Sequence, residues 1–316
     1  MIVELIRGLE ALDDRHHGCV ATIGNFDGIH LGHQAILRRL AEWKRALELP
    51  AAVVSFEPLP REYFGGPVNV PRLVSLREKI ELLHSHGVDR LLCLRFNEAL
   101  ADLEAEAFIE NILVAGLAVK HLVIGDDFRF GRGRTGDQAM LERLGHTRGF
   151  GVSDAPTVVL DDARVSSTRI RRALAEGDLP LTARLLGRSY RLSGKVMHGD
   201  ERGRLLGFPT ANLAVRPRVG LSGVYAVTVQ GATRGAMQGI ANLGKRPTVG
   251  GEGTRLEVHL LNFSGDLYGR RLEVSFLHKL RDERRFDSLE KLTAQIRADR
   301  EQALAYFNKD GFKFKV

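Results

Sequence analysis

Along the first half of the chain, short apolar runs alternate with stretches whose apolar residues recur every three or four positions. The runs at 19–23, 51–56, 90–96, 122–125 and 157–160 predict buried strands. Ile36, Leu40, Trp43 and Leu47 recur at steps of four, three and four and predict an amphipathic helix. A capping box at 75–78 opens a second helix through His86, and the segments 104–117 and 137–144 read as helices too. This alternation predicts an α/β domain with a doubly wound, mostly parallel, Rossmann-like sheet. Ligands of such sheets sit outside the carboxyl ends of the strands, where Gly24 and Gly125 fall.

After Gly187 the period changes. Short alternating runs at 190–197, 224–230, 236–243, 255–261 and 272–277, separated by glycine-rich turns, predict a small antiparallel β-barrel. A closing helix over 288–308 carries Leu289, Leu292, Ile296, Leu304 and Phe307. Two domains are expected, 1–184 and 185–316, with the boundary within 181–188.

The 316 residues suffice for two ordinary domains. With 44% hydrophobic and 27% charged residues, the chain reads as soluble and globular. No apolar run is long enough to span a membrane, and residues 1–10, with Glu4, Arg7 and Glu10, lack a signal-peptide pattern, so a cytoplasmic location is expected. Cys19 and Cys93 each lie in an apolar run and are expected as buried thiols. The net charge of +7 favours anionic ligands. Without a long basic run or a basic patch interleaved with aromatics, small phosphate ligands are favoured over nucleic acid.

The candidate chemistry begins at Gly24-Asn25-Phe26-Asp27-Gly28-Ile29-His30-Leu31-Gly32-His33, between the first apolar run and the first helix. Glycines let the backbone turn sharply and approach a ligand. A helix start offers N–H groups and a positive dipole end to an anion. His30 and His33, three apart, can face the same ligand, and Gly32 keeps the surface between them open. The pattern reads as a phosphate site in which imidazole can carry positive charge.

A second stretch, Val165-Ser166-Ser167-Thr168-Arg169-Ile170-Arg171, places hydroxyls at a helix start and Arg171 in its first turn, within reach of a phosphate. Between the two lies a glycine- and arginine-bearing segment with Gly131, Gly133 and Gly136. Its first glycine does not directly end a strand, so it reads as a mobile loop over the site rather than a dinucleotide fingerprint. Gly239 to Arg246 nearly matches a phosphate loop, but arginine replaces the required Ser or Thr.

In the barrel half, Gly203 and Gly207 flank a turn leading to Phe208-Pro209-Thr210-Ala211-Asn212. Thr210 and Asn212 share one side of an extended segment, and a hydroxyl with an amide oxygen suits Mg²⁺. Glu257 stands in an alternating strand, where apolar neighbours would fit it to general-base work.

The first stretch resembles the His-x-Gly-His signature of the nucleotidylyltransferase superfamily, and Val165 to Arg171 resembles its second signature, with valine for isoleucine. Residues 208–212, Gly-Val-Tyr-Ala at 223–226, Asn-Leu-Gly at 242–244, Pro-Thr at 247–248, Glu-Val-His-Leu-Leu at 257–261 and Leu-Tyr-Gly at 267–269 resemble riboflavin kinase. End to end, the chain is similar to the prokaryotic bifunctional riboflavin kinase/FAD synthetase family. The resemblance implies that the barrel moves the γ-phosphate of ATP onto riboflavin to give FMN. The first domain would then join FMN to AMP, giving FAD and pyrophosphate. It implies Glu257 as base for the ribityl hydroxyl, and Thr210 and Asn212 as Mg·ATP ligands beside Gly203 and Pro209. His30, His33, Asn25 and Arg171 would hold ATP phosphates, with Gly24, Phe26, Asp27, Gly32, Ser166, Ser167 and Thr168 completing that site. Asp127 and Phe128 would lie near the flavin or its phosphate. The family usually carries histidine where this chain has Leu59. The competing reading is a single-activity adenylyltransferase with a non-catalytic flavin-binding barrel.

Overall fold

The computed structural model describes residues 3–65, 70–199, 207–215, 220–248 and 251–309. Packing divides the chain into two units. Unit 1 comprises Met1–Val70 and Leu76–Ser167, and unit 2 comprises Pro71–Ser75 and Thr168–Val316.

Unit 1 holds six parallel strands: β1 (Glu4–Arg7), β2 (Val20–Ile23), β3 (Ala51–Glu57), β4 (Arg90–Arg95), β5 (His121–Gly125) and β6 (Gly151–Ala155). They lie in the order β1-β4-β3-β2-β5-β6. All four residues of β2 are buried, as its unbroken apolar run requires in a sheet covered on both faces. Helix α1 (Leu31–Leu47) packs across β2, β5 and β6. Helices α2 (Pro60–Phe64), α3 (Leu76–Ser85), α4 (Glu98–Ala101), α5 (Ala105–Phe108) and α6 (Gln138–Arg148) complete the unit. Phe108, Ile109, Ile112 and Leu113 bury against Ala21, Ile23, Val54, Leu92 and Ile124 of the sheet.

The sheet differs from expectation in three places. The sixth strand is Gly151–Ala155, whereas Val159–Leu160 forms a separate two-residue pair (β7) with Ala163–Arg164 (β8). β6 is a half-exposed edge carrying Ser153 and Asp154, so its pattern is too polar to read as a buried strand. Edge strand β1, with Glu4 and Arg7, escaped notice for the same reason. The single helix expected over 104–117 is α-helical only through Phe108 and π-helical over Ile109–Val114.

Strand order reverses between β2 and β5, the point where doubly wound sheets open a crevice at their carboxyl ends. Gly24 follows β2 and Gly125 ends β5, so both flank that crevice.

Unit 2 takes in helix α7 (Ser167–Glu176), whose first residue belongs with unit 1, and helix α8 (Leu179–Leu186). The division expected at 184/185 cuts through α8, whereas by packing the chain from Thr168 on groups with the barrel, α8 lying against the barrel strand Arg271–Arg281. The barrel strands are β9 (Arg191–Met197), β10 (Ala211–Ala214), β11 (Gly223–Gln230), β12 (Met237–Thr248), β13 (Gly251–Leu260) and β14 (Arg271–Arg281). They close in the order β10-β13-β12-β11-β14-β9, every pair antiparallel. Leu213, Tyr225, Ala241, Leu243, Leu256 and Val258 are all buried, and they alternate along their strands with the opposite face. On that outer face Val224, Ala226 and Ile240 pack against Ala303 and Phe307 of the closing helix α9 (Leu289–Lys309).

Candidate active sites

In unit 1 the turn between β2 and α1 is strained by design of its sequence. Phe26, Gly28 and Ile29 have φ of 46°, 91° and 41°, a region that only glycine enters freely. Burial of Phe26 and Ile29 holds the two non-glycine residues there. Gly24 is crowded for a different reason: a side chain on it would meet the Phe26 ring at 3.2 Å, and the ring would have to give way. His30 caps α1, its Nδ1 accepting the His33 N–H at 3.3 Å. The two imidazoles stack, with centroids 3.7 Å apart.

The expectation of a charged imidazole is corrected for His33. Burial pushes the His33 pKa well below its ordinary value, and the nearby His30 and Lys79 add to the effect. His33 is therefore neutral in the free protein, and its buried Nδ1 has no hydrogen-bond partner among the described residues. The positive charge behind the turn belongs to Lys79, 3% exposed on α3, whose Nζ donates to Ser55 Oγ at 3.1 Å.

A cavity of about 220 Å³ opens at the switch point, lined by Gly24, Phe26, His30, Gly32 and His33 on one side and Asp127, Phe128 and Ser166 on the other. The two distant signatures meet here, since Ser167 Oγ donates to the Asp27 carbonyl at 2.9 Å. Asn25 stands in the same turn with its amide oxygen buried and without a partner among the described residues. Arg164, which sequence reasoning passed over, also lines the cavity. Its guanidinium lies 2.7 Å from Asp126 and 2.8 Å from Asp127. The Thr157 hydroxyl, and secondarily Arg164, hold the Asp126 carboxyl below its usual range. Thr168 and Arg171 of the second signature fall by packing in unit 2, where Arg171 Nε donates to the Pro71 carbonyl at 2.6 Å.

The segment expected as a mobile loop carries contacts of its own. Phe130 and Gly136 bridge each other, Arg132 pairs with Glu104, and Gly131 packs so tightly on Ala105 that a side chain there would lie 2.6 Å from it. Gly239 and Gly244 lie within strand β12, which is no setting for a phosphate loop.

In unit 2, one register row runs around the barrel. Asn212 faces Glu257, Glu257 faces Asn242, Asn242 faces Val224, and Val224 faces Arg281. All five line one cavity of about 300 Å³ on the outer face of the barrel, walled by Leu292, Ile296 and Asp299 of α9. Thr210 and Asn212 also line an adjoining cavity of about 630 Å³, together with Pro209 and Tyr268. β13 is an interior strand of a closed sheet, so Glu257 is not the solvated edge residue it could have been. Its surroundings are not apolar as expected: the Arg255 guanidinium pairs with its carboxylate. Arg255 also donates to Asn212 Oδ1 from Nη2 at 3.1 Å. Gly203 lies outside the described residues.

The described residues thus present two separate cavities on one chain, one at the β2–α1 turn of a parallel sheet and one along a polar row of a closed barrel. Residues 12–169 match the family described as FAD synthetase, and residues 186–307 match that of riboflavin kinase. A bifunctional riboflavin kinase/FMN adenylyltransferase from Pseudomonas fluorescens is 52% identical over 94% of this chain and 96% of its own length. That of Escherichia coli strain K12 is 47% identical, over 96% of this chain and 98% of its own. A crystal structure from Streptococcus pneumoniae, described as a macrolide-efflux protein, superposes with a TM-score of 0.80 at 32% identity. The match covers 95% of this chain and 98% of that one. No helix among the described residues is long and apolar enough to cross a membrane. The chain belongs to the bifunctional riboflavin kinase/FMN adenylyltransferase family.

Proposed function

We propose that this chain phosphorylates riboflavin with ATP at the barrel row and adenylylates the resulting FMN with a second ATP at the β2–α1 turn. The register row carries this reading, because it brings a carboxylate, two amides and a cation to one cavity that abuts a second. Riboflavin would occupy the cavity of Glu257, and ATP the adjoining one beside Pro209. Glu257 takes the proton of the terminal ribityl hydroxyl, the oxygen attacks the γ-phosphorus, and ADP departs. Thr210 and Asn212 offer two neutral oxygens that suit Mg²⁺ held jointly with phosphates. Asn212 Oδ1 is engaged by Arg255 in the free protein, so binding there requires Arg255 to release it. The cation would neutralise charge developing on the phosphates.

In unit 1 the FMN phosphate attacks the α-phosphorus of ATP and pyrophosphate leaves, with no protein nucleophile. The first turn of α1, His30, neutral His33 and Asn25 position the phosphates, while Ser166 and Ser167 close the wall. Asp127 and Phe128 would face the flavin, and Arg164 is held ready by its two carboxylates. Cytoplasmic residence and independence from nucleic acid belong to the same reading.

The test is a double dissociation. Glu257→Gln removes the base and should slow riboflavin phosphorylation about 10²–10⁴-fold while FMN supplied directly still becomes FAD. His33→Ala should cut FAD formation roughly 10²–10³-fold and let FMN accumulate. If either substitution cripples both steps equally in folded protein, the two-centre reading fails.

A further inference from the structure

Asn242 belongs to the 242–244 segment of the barrel row, and neither the resemblance nor the proposed chemistry gives it a role. It lies between Glu257 and Val224 in register, and its side chain lines the same cavity as Thr210, Asn212 and Glu257. Residues alternating with it, Ala241 and Leu243, are fully buried, so Asn242 faces outward under α9 rather than into the barrel. Its amide oxygen is sealed from solvent and has no hydrogen-bond partner among the described residues. Its counterpart on the other side of Glu257 contrasts with it: the Asn212 amide oxygen is engaged by Arg255. A buried amide oxygen left without a donor is costly, so this acceptor calls for a ligand that brings one.

Riboflavin carries donors of two kinds, the ribityl hydroxyls and the ring imide N–H. With Glu257 as the base, the terminal hydroxyl sits at Glu257. Residues directly opposite on antiparallel strands have Cβ atoms about 4.5–5.5 Å apart. That spacing reaches a neighbouring hydroxyl on the same chain, whereas the imide lies at the opposite end of the molecule, beyond the ring.

We propose that Asn242 accepts a hydrogen bond from a secondary ribityl hydroxyl next to the reacting one, and so aligns the terminal hydroxyl with Glu257. It is a positioning residue that also selects for a polyhydroxylated side chain. The inference rests on the reading of Glu257 as the base.

The experiment compares riboflavin with an isoalloxazine bearing a 5-hydroxypentyl chain at the same nitrogen, which keeps the terminal hydroxyl and lacks the secondary ones. The full-length protein and its Asn242→Ala variant are assayed for kcat/KM with each, and FMN adenylylation reports that the variant is intact. The unsubstituted protein should favour riboflavin by roughly 10–100-fold. Asn242→Ala should lose that much on riboflavin and almost nothing on the analogue, so the two substrates converge. Equal losses on both would overturn the proposal and make Asn242 structural. A third substrate, 3-methylriboflavin, tests the imide: if Asn242→Ala abolishes discrimination against it, the acceptor serves the ring and the proposal falls. If the variant does not fold, the unsubstituted protein alone still decides, since failure to discriminate against the pentyl analogue overturns the inference. Glu257→Gln, run with both substrates, keeps the two readings apart. Unimpaired turnover there sinks the base assignment, whereas the convergence produced by Asn242→Ala is read within one protein background.

Discussion

Arg281 on β14 and Asp299 on α9 form a two-pronged ion pair, with Nε and Nη2 each 2.8 Å from a different carboxylate oxygen. Asp299 is buried, and Gln295 donates to its Oδ1 at 2.9 Å. Both residues line the barrel cavity, so the pair fixes the helix that walls it.

Removing one partner of a buried pair leaves the other charge uncompensated. Asp299→Ala should therefore destabilise unit 2 by about 3–5 kcal/mol, measured by urea unfolding. The loosened wall should raise the KM for riboflavin and leave the adenylylation of added FMN unchanged. A KM that stays put would separate the ion pair from substrate binding.

His33 should stay neutral in the free protein down to pH values well below 6.5, because its folded pKa is depressed. Its ring-proton NMR shift should not move between pH 8 and 6. Lys79→Met removes one of the charges opposing protonation and should shift the titration upward, with burial still keeping it below the ordinary value. A normal histidine titration in the unsubstituted protein would contradict this assignment.

His121 links stability to pH. It is 6% exposed, stacks on Trp43 with centroids 3.6 Å apart, and hydrogen-bonds to Ser153 Oγ at 2.9 Å. Burial, assisted by Arg39, pushes its pKa down to about 4. A folded pKa below the unfolded one means that the unfolded state binds the extra proton. Stability is thus present above pH 6.5 and declines as pH falls towards 4, by about 2 kcal/mol between pH 7 and pH 5. Urea titrations at the two pH values check this, and His121→Phe should flatten that part of the difference.

Leu59 does not offer a vacant place for a phosphate donor. It is 2% exposed, precedes α2, and is not among the residues lining the unit 1 cavity. Leu59→His would bury an imidazole and should cost about 1–3 kcal/mol without speeding FAD formation. Faster FAD formation at unchanged stability would show that histidine reaches the phosphates after all.

The local chemistry was legible where its residues are neighbours in sequence. His30, His33, Thr210 and Asn212 announce themselves by spacing, and the change of period after Gly187 announces the barrel. What stayed hidden depends on strand pairing. Arg255 becomes the partner of Asn212 only once β10 and β13 are in register, and Asn242 becomes a neighbour of Glu257 only through β12. Arg164 and Lys79 are ordinary basic residues in the sequence, and burial or cavity lining gives them meaning. Strands β1 and β6 were missed because edge strands need no apolar run.

The row through Asn212, Glu257 and Asn242 also makes the barrel intolerant of insertions. Side chains alternate across a strand, so one extra residue in β13 just before Leu256, without a bulge to absorb it, would move the Glu257 carboxylate to the place of Val258, opposite Ala211 and Ala241 and facing the apolar interior. Leu256 would take its place under α9. The amino acids would be unchanged, yet a charge would sit in oil and a leucine would face the substrate. Loops can lengthen in such a protein, but within β10, β12 and β13 the chain keeps count, and parity is inherited along with identity.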